Sequence, residues 1–223
     1  MQAGLPLAQR RALVTGGAKG IGAAIAWRFA AEGADVAIVG RNRTSLEKTA
    51  DAIRDLGCEC LTIESDLGSQ EGATYAAECA LAHAAAWDIL VNNAVATVSA
   101  PLLDMTASGW DACMGLNVRA PMLLARALVP QMIARGGGKI VNIASMGAFI
   151  GTPNAGAYTA SEAALCQLTR TMAVEWAAYN VQTNAICREA DDVVSLALFL
   201  SGPHSNDING VVLPLDGGLL VAP

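Results

Sequence analysis

The chain has 223 residues, enough for one sizeable hydrophobic core and, as a prior, one domain. Hydrophobic residues make up 53% and charged residues only 15%, so much of the chain is expected to be buried. A net charge of -6 and a pI near 4.8 argue against nucleic acid or an anionic membrane as partner, since the overall field repels both.

The apolar segments alternate in type along the chain. The opening MQAGLPLAQRR has no apolar h-region, so no signal peptide is expected. Residues 11–15 (RALVT) read as a short buried strand, and 20–33 as a helix that stops at Gly33. A strand over 35–40 leads to a helix over 44–57, with Thr44 as N-cap and Glu47 completing a capping box. A strand at 60–65, a helix at 69–85 and a strand at 88–94 follow. A long helical stretch covers about 107–134 and a strand covers 139–145. A second long helix spans 155–178, a strand 181–186, a helix 190–201 and a last strand 210–216. The strands are continuous apolar runs, which marks a sheet covered on both faces and usually parallel. Alternating strands and helices then predict a single-domain, doubly wound, Rossmann-type α/β fold of about seven strands, without repeats or a second domain.

The turn after the first strand reads VTGGAKGIGAAIA, with Gly16, Gly20 and Gly22 spaced G-x-x-x-G-x-G. Glycines there let the backbone turn tightly and approach a pyrophosphate at the helix N-terminus. A tight turn with close packing is the plainer reading, and its place after strand one of a strand–helix series weighs against it. The second strand ends Val39-Gly40-Arg41-Asn42-Arg43, with no acid at its C-terminal end; Asp35 sits at the other end. An acid would bind a ribose 2′-hydroxyl, whereas Arg41, helped by Lys19 or Arg43, suits a 2′-phosphate. NADP(H) is therefore favoured over NAD(H).

The six cysteines, Cys58, Cys60, Cys79, Cys113, Cys166 and Cys187, form no CxxC pair, and only two histidines accompany them. Free thiols in a reducing, cytoplasmic setting fit better than zinc, and no metal site is expected. No uninterrupted apolar run approaches 18 residues, so no membrane span is expected.

Several short motifs occur in one order across nearly the whole chain: TGGAKGIG at 15–22, SDL at 65–67, NNA at 92–94, LNV at 116–118, IVNIAS at 140–145, YTAS from Tyr158, NAI at 184–186 and LDGG at 215–218. In these the chain resembles the short-chain dehydrogenase/reductase family in its single-domain form, with 3-oxoacyl reductases as a near type. The resemblance implies roles for matching positions. Gly16, Lys19, Gly20, Ile21 and Gly22 hold the pyrophosphate end of the dinucleotide, and Arg41 and Asn42 its adenine ribose. Asp66 and Leu67 lie by the adenine. Asn92, Asn93 and Ala94 stabilise the sheet and line the cofactor site. Ser145 binds the substrate oxygen, Tyr158 moves the proton and touches the cofactor, and Asn117 holds a water in the proton relay. It also implies a homodimer or homotetramer built through the two long helices, although burial within one subunit explains their composition equally well.

The sequence departs from that pattern at three places. The family reads Tyr-x-x-x-Lys, where the lysine holds the nicotinamide ribose and lowers the tyrosine pKa; here the fourth position is Glu162. Two unit charges at about 5 Å and an effective dielectric near 20 interact by about 3 kcal/mol, or roughly two pKa units, and the exchange reverses the sign. Val95 replaces the usual glycine after NNA. Finally, NAIC runs almost directly into READDVV, where the resemblance implies Pro-Gly and some two dozen residues of substrate lid. The lid expected near 187–190 is either deleted or missing from this sequence.

Three readings follow. The first is an NADP(H)-dependent oxidoreductase acting on a small-molecule carbonyl or secondary alcohol, such as a 3-oxoacyl thioester or a sugar-acid ketone. The second is a catalytically impaired member that binds nucleotide as a regulatory or partner subunit. The third is a structural or interaction protein without cofactor.

Overall fold

Seven parallel strands form one sheet in the order β3-β2-β1-β4-β5-β6-β7. This is a computed structural model, and it describes residues 4–84, 86–188 and 193–221. The strands are β1 (Arg11–Thr15), β2 (Asp35–Gly40), β3 (Cys60–Glu64), β4 (Ile89–Asn92), β5 (Gly138–Ser145), β6 (Val181–Arg188) and β7 (Val212–Leu215). The helices are α1 (Gly20–Ala31), α2 (Arg43–Arg54), α3 (Gln70–His83), α4 (Ala107–Met114), α5 (Ala120–Ala134), α6 (Gly156–Trp176) and α7 (Val193–Ser201). The expected doubly wound α/β sheet is therefore present.

The continuous apolar strands serve two cores, because successive side chains point to opposite faces. Val14, Ile38 and Val91 pack with Ile25 and Phe29 of α1, Leu46 and Ile53 of α2 and Leu200 of α7. Leu13, Val39 and Leu90 point the other way, onto Ala73 and Ala76 of α3 and Leu124 and Leu128 of α5. The order turns back between β1 and β4, which opens a crevice beyond their C-terminal ends. At the opposite end, Asp88 fixes the strand starts: it pairs with Arg10 at 3.0 Å and accepts the Arg11 backbone N–H at 2.9 Å.

Three local expectations need correction. Asn42, not Thr44, caps α2: its side-chain oxygen accepts the Ser45 N–H at 2.8 Å. Glu47 forms no capping box, because it faces Thr62 of β3 at 2.6 Å and Arg54 at 3.1 Å. Strand β6 runs two residues past Ile186, since Cys187 and Arg188 pair with Ala144 and Ser145 of β5. The helix expected at 190–201 is described from Val193, and residues 189–192, where the lid was expected, lie outside the described residues.

The stretch Ala107–Ala134 is helical throughout, but Gly115–Arg119 between α4 and α5 forms a π-turn. By length and composition this rod could cross a membrane, with a mean hydropathy of 1.3 over its most apolar window. More than half of that window is buried inside the protein, as expected of a core helix.

Candidate functional site

The crevice at the β1–β4 reversal is a cleft of about 800 Å³. Its floor begins with Thr15, the last residue of β1. The Thr15 hydroxyl donates to the Val91 carbonyl at 3.3 Å and accepts the N–H groups of Asn93 and Ala94 at 2.9 and 3.0 Å. The Asn93 side-chain amide returns a bond to the Thr15 carbonyl at 3.0 Å. One hydroxyl thus locks the loop after β4 to the loop after β1.

The glycine loop lies directly against this lock. Gly16 and Gly20 have φ of +67° and +57°, which glycine adopts without strain. A Cβ on Gly22 would strike the Gly16 carbonyl and the Asn93 amide. Gly16, Gly20 and Gly22 thus line the cleft at the start of α1 without a Cβ. This is the shape and polarity a pyrophosphate needs, so these residues fit a dinucleotide.

All twelve residues expected at the cofactor line this one cleft: Gly16, Lys19, Gly20, Ile21, Gly22, Arg41, Asn42, Asp66, Leu67, Asn93, Ala94 and Tyr158. Arg41 is exposed just beyond β2, while Asp35, at the far end of that strand, accepts the Glu59 N–H at 3.0 Å. Asn42 has two duties, capping α2 and lining the cleft. Asp66 is held as a turn, its carboxylate accepting the Gly68 N–H at 3.1 Å. Val95 forms part of the wall and is half exposed.

Two expected residues stand behind the cleft wall. Ser145 ends β5, and its hydroxyl accepts the Gly147 N–H at 3.1 Å and hydrogen-bonds the Tyr158 side chain. Asn117 is buried in the π-turn. Its amide donates to the Ala96 carbonyl at 2.9 Å and to the Ser161 hydroxyl at 2.8 Å, and its oxygen accepts the Ala96 N–H at 2.8 Å. The extra residue of a π-turn rotates the helix face, and here it turns Asn117 toward α6.

Tyr158 and Glu162 stand one turn apart on α6 and both line the cleft. Burial pushes the Tyr158 phenol up; the Ser145 hydrogen bond pulls it down, Glu162 pushes it up and Arg188 pulls it down. Glu162 is only 2% exposed. Its burial lifts the carboxyl to about 7, against the opposing pull of the Ser145 backbone and Arg188. Glu162 therefore keeps its proton to a higher pH than an ordinary carboxyl, and is not the fixed anion that its sequence position implies.

Arg188 is the site residue that sequence reading missed, because it was placed in the loop after β6. It ends that strand, paired with Ser145 on one side and Leu215 on the other, and it lines the cleft beside Tyr158 and Glu162. Behind it, the buried thiols of Cys187 and Cys166 lie 3.5 Å apart.

A family model described as short chain dehydrogenase matches residues 10–190. The chain belongs to the short-chain dehydrogenase family. It is 32% identical to gluconate 5-dehydrogenase of Gluconobacter oxydans, over 97% of this chain and 96% of that protein. It is 32% identical to 2-dehydro-3-deoxy-D-gluconate 5-dehydrogenase of Escherichia coli, over 94% of each. Among solved structures it is similar to a protein from Beutenbergia cavernae assigned as an NAD(P)-dependent gluconate 5-dehydrogenase, with NADP bound at low occupancy. The TM-score is 0.91 at 36% identity, covering 97% of this chain and 98% of that one. This short-chain dehydrogenase is thus an NAD(P)-dependent oxidoreductase by family and fold. The Gluconobacter alignment runs over 247 positions, more than the 223 residues present here, so part of that relative lies opposite gaps in this chain.

Proposed function

We propose that this short-chain dehydrogenase moves hydride between NADP(H) and a sugar-acid ketone or its secondary alcohol, with Tyr158 as proton donor and acceptor. The observation that carries the reading is one cleft that runs from the glycine loop to Tyr158, whose phenol Ser145 hydrogen-bonds from behind the wall. The bound nicotinamide supplies the hydride. The chain's residues do the rest. Ser145 orients the substrate oxygen, and Tyr158 delivers its phenolic proton to that oxygen as the carbonyl π bond breaks. Asn117, joined to Ser161 and close to Glu162, holds the relay that reprotonates Tyr158.

The preference for NADP(H) rests on Arg41, with Lys19 at the same end of the cleft and no acid at the end of β2. The substrate class rests on the two sugar-acid relatives; 3-oxoacyl thioesters belong in the same assay panel. The thiols of Cys60, Cys79, Cys113, Cys166 and Cys187, none of them in a disulfide, support a reducing, cytoplasmic setting. Assembly into a dimer or tetramer through α4–α5 and α6 is supported by apolar surface such as Val174, which is 80% exposed.

Glu162 favours a second reading, a nucleotide-binding member with impaired chemistry. The test is NADPH titration by fluorescence followed by assay with gluconate, other secondary alcohols and ketones. Saturable binding with turnover supports the first reading. Binding with a blank panel supports the second, and no binding removes both.

A further inference from the structure

The chemistry proposed for Tyr158 needs a nearby cation, and the family position for it holds a carboxyl group. Three cationic side chains line the cleft among the described residues: Lys19, Arg41 and Arg188. Lys19 immediately precedes α1 in the glycine loop and Arg41 follows β2, so both stand at the glycine-loop end of the cleft. Arg188 alone stands at the Tyr158 end. The pairing of β5 with β6 sets it beside Ser145, whose hydroxyl bonds the Tyr158 phenol. Glu162 is buried, and among the described residues no Lys, Arg or His lies within ion-pair distance of it. A buried carboxyl without a close counter-ion, facing a cleft with one arginine at that end, is a point of attraction for that arginine.

We propose that Arg188, entering from the end of β6, supplies the positive charge that favours the Tyr158 phenolate and offsets the opposing charge of Glu162. The inference rests on the oxidoreductase reading above and assigns Arg188 a positioning role exerted through Tyr158. The cation has moved from the helix to a neighbouring strand. An arginine suits that move, because its guanidinium keeps its charge at any working pH. The remaining groups facing the pair are uncharged or weakly acidic: the Ser145 hydroxyl from β5, the Cys187 thiol from β6 and the Asn117 amide from the π-turn. With Glu162 titrating near 7, the pair keeps a net positive charge below neutrality and approaches zero above it.

The test reads the Tyr158 phenol directly. Ultraviolet difference titration of the full chain follows its three tyrosines, and Tyr158→Phe assigns the signal. Arg188→Gln and Arg188→Met are both made, so that one misfolded variant does not decide the result. Arg188→Lys serves as the conservative rescue, and each fold is checked by circular dichroism. The expected outcome is an upward shift of the Tyr158 midpoint in the Gln and Met variants, a return toward wild type in the Lys variant, and a downward shift in Glu162→Gln. If hydride transfer is measurable, kcat falls roughly tenfold in Arg188→Gln with little change in NADPH Kd. An unmoved Tyr158 midpoint in both neutral variants overturns the proposal, whatever the turnover. Shifted midpoints with no turnover on any substrate retain the charge assignment and reject the oxidoreductase reading instead.

Discussion

Replacing Glu162 by glutamine should change how stability depends on pH. The carboxyl is 2% exposed and titrates near 7 in the folded chain, against an ordinary value of 4.5. Across that window the folded protein keeps a proton that the unfolded chain releases. Raising the pH therefore favours unfolding: the group costs nothing below about pH 4.5 and its full penalty above pH 7. At roughly 1.4 kcal/mol per pH unit, the difference amounts to about 3 kcal/mol. Glutamine keeps the shape and cannot ionise. Urea unfolding of both proteins from about pH 4.5 to about pH 8 should show wild type losing about 3 kcal/mol relative to Glu162→Gln, because all other titrations cancel in the comparison. A constant difference across that range would refute the reasoning, since it would mean that Glu162 titrates like a solvated carboxyl.

Further outcomes follow from the same geometry. Thr15→Val removes the hydroxyl that serves Asn93, Ala94 and Val91, and should cost about 1–3 kcal/mol in urea unfolding. Its NADPH Kd should rise in parallel as the two loops part. Gly22→Ala drives a methyl into the Gly16 carbonyl and should abolish NADPH-dependent fluorescence enhancement. Arg41→Ser should weaken NADPH about tenfold or more and leave NADH nearly unchanged, read as the ratio of the two Kd values. Equal losses for both nucleotides would remove Arg41 from 2′-phosphate recognition.

What could be read ahead of the structure depended on how local the cause was. The glycine loop is fixed by backbone sterics within seven residues, and each of its expected positions lies in the cleft. The sheet was legible because continuous Val, Ile and Leu runs suit strands buried on both faces. The α2 cap was misjudged between two good capping residues, Asn42 and Thr44, only two positions apart. What chose between them was tertiary: Glu47, needed for the Thr44 box, is engaged by Thr62 of the neighbouring strand. Arg188 was missed because a strand's end depends on its partners, Ser145 and Leu215, both more than twenty residues away in sequence. Thr15 was overlooked for the same reason. Glu162 stood out in the sequence as the wrong charge beside Tyr158. That it is buried, and so not a fixed anion, emerges only from the packing of α6.

The central claim is that the cleft carries out hydride transfer with Tyr158 handling the proton. The most direct measurement uses gluconate deuterated at carbon 5 with NADP+, following deuterium into the nicotinamide ring by mass spectrometry. The account predicts transfer by wild type and a loss of about a hundredfold or more in Tyr158→Phe at unchanged NADPH affinity. Transfer at equal rates in both proteins would contradict it, as would saturable cofactor binding with no deuterium transfer from gluconate or from any other deuterated secondary alcohol tested.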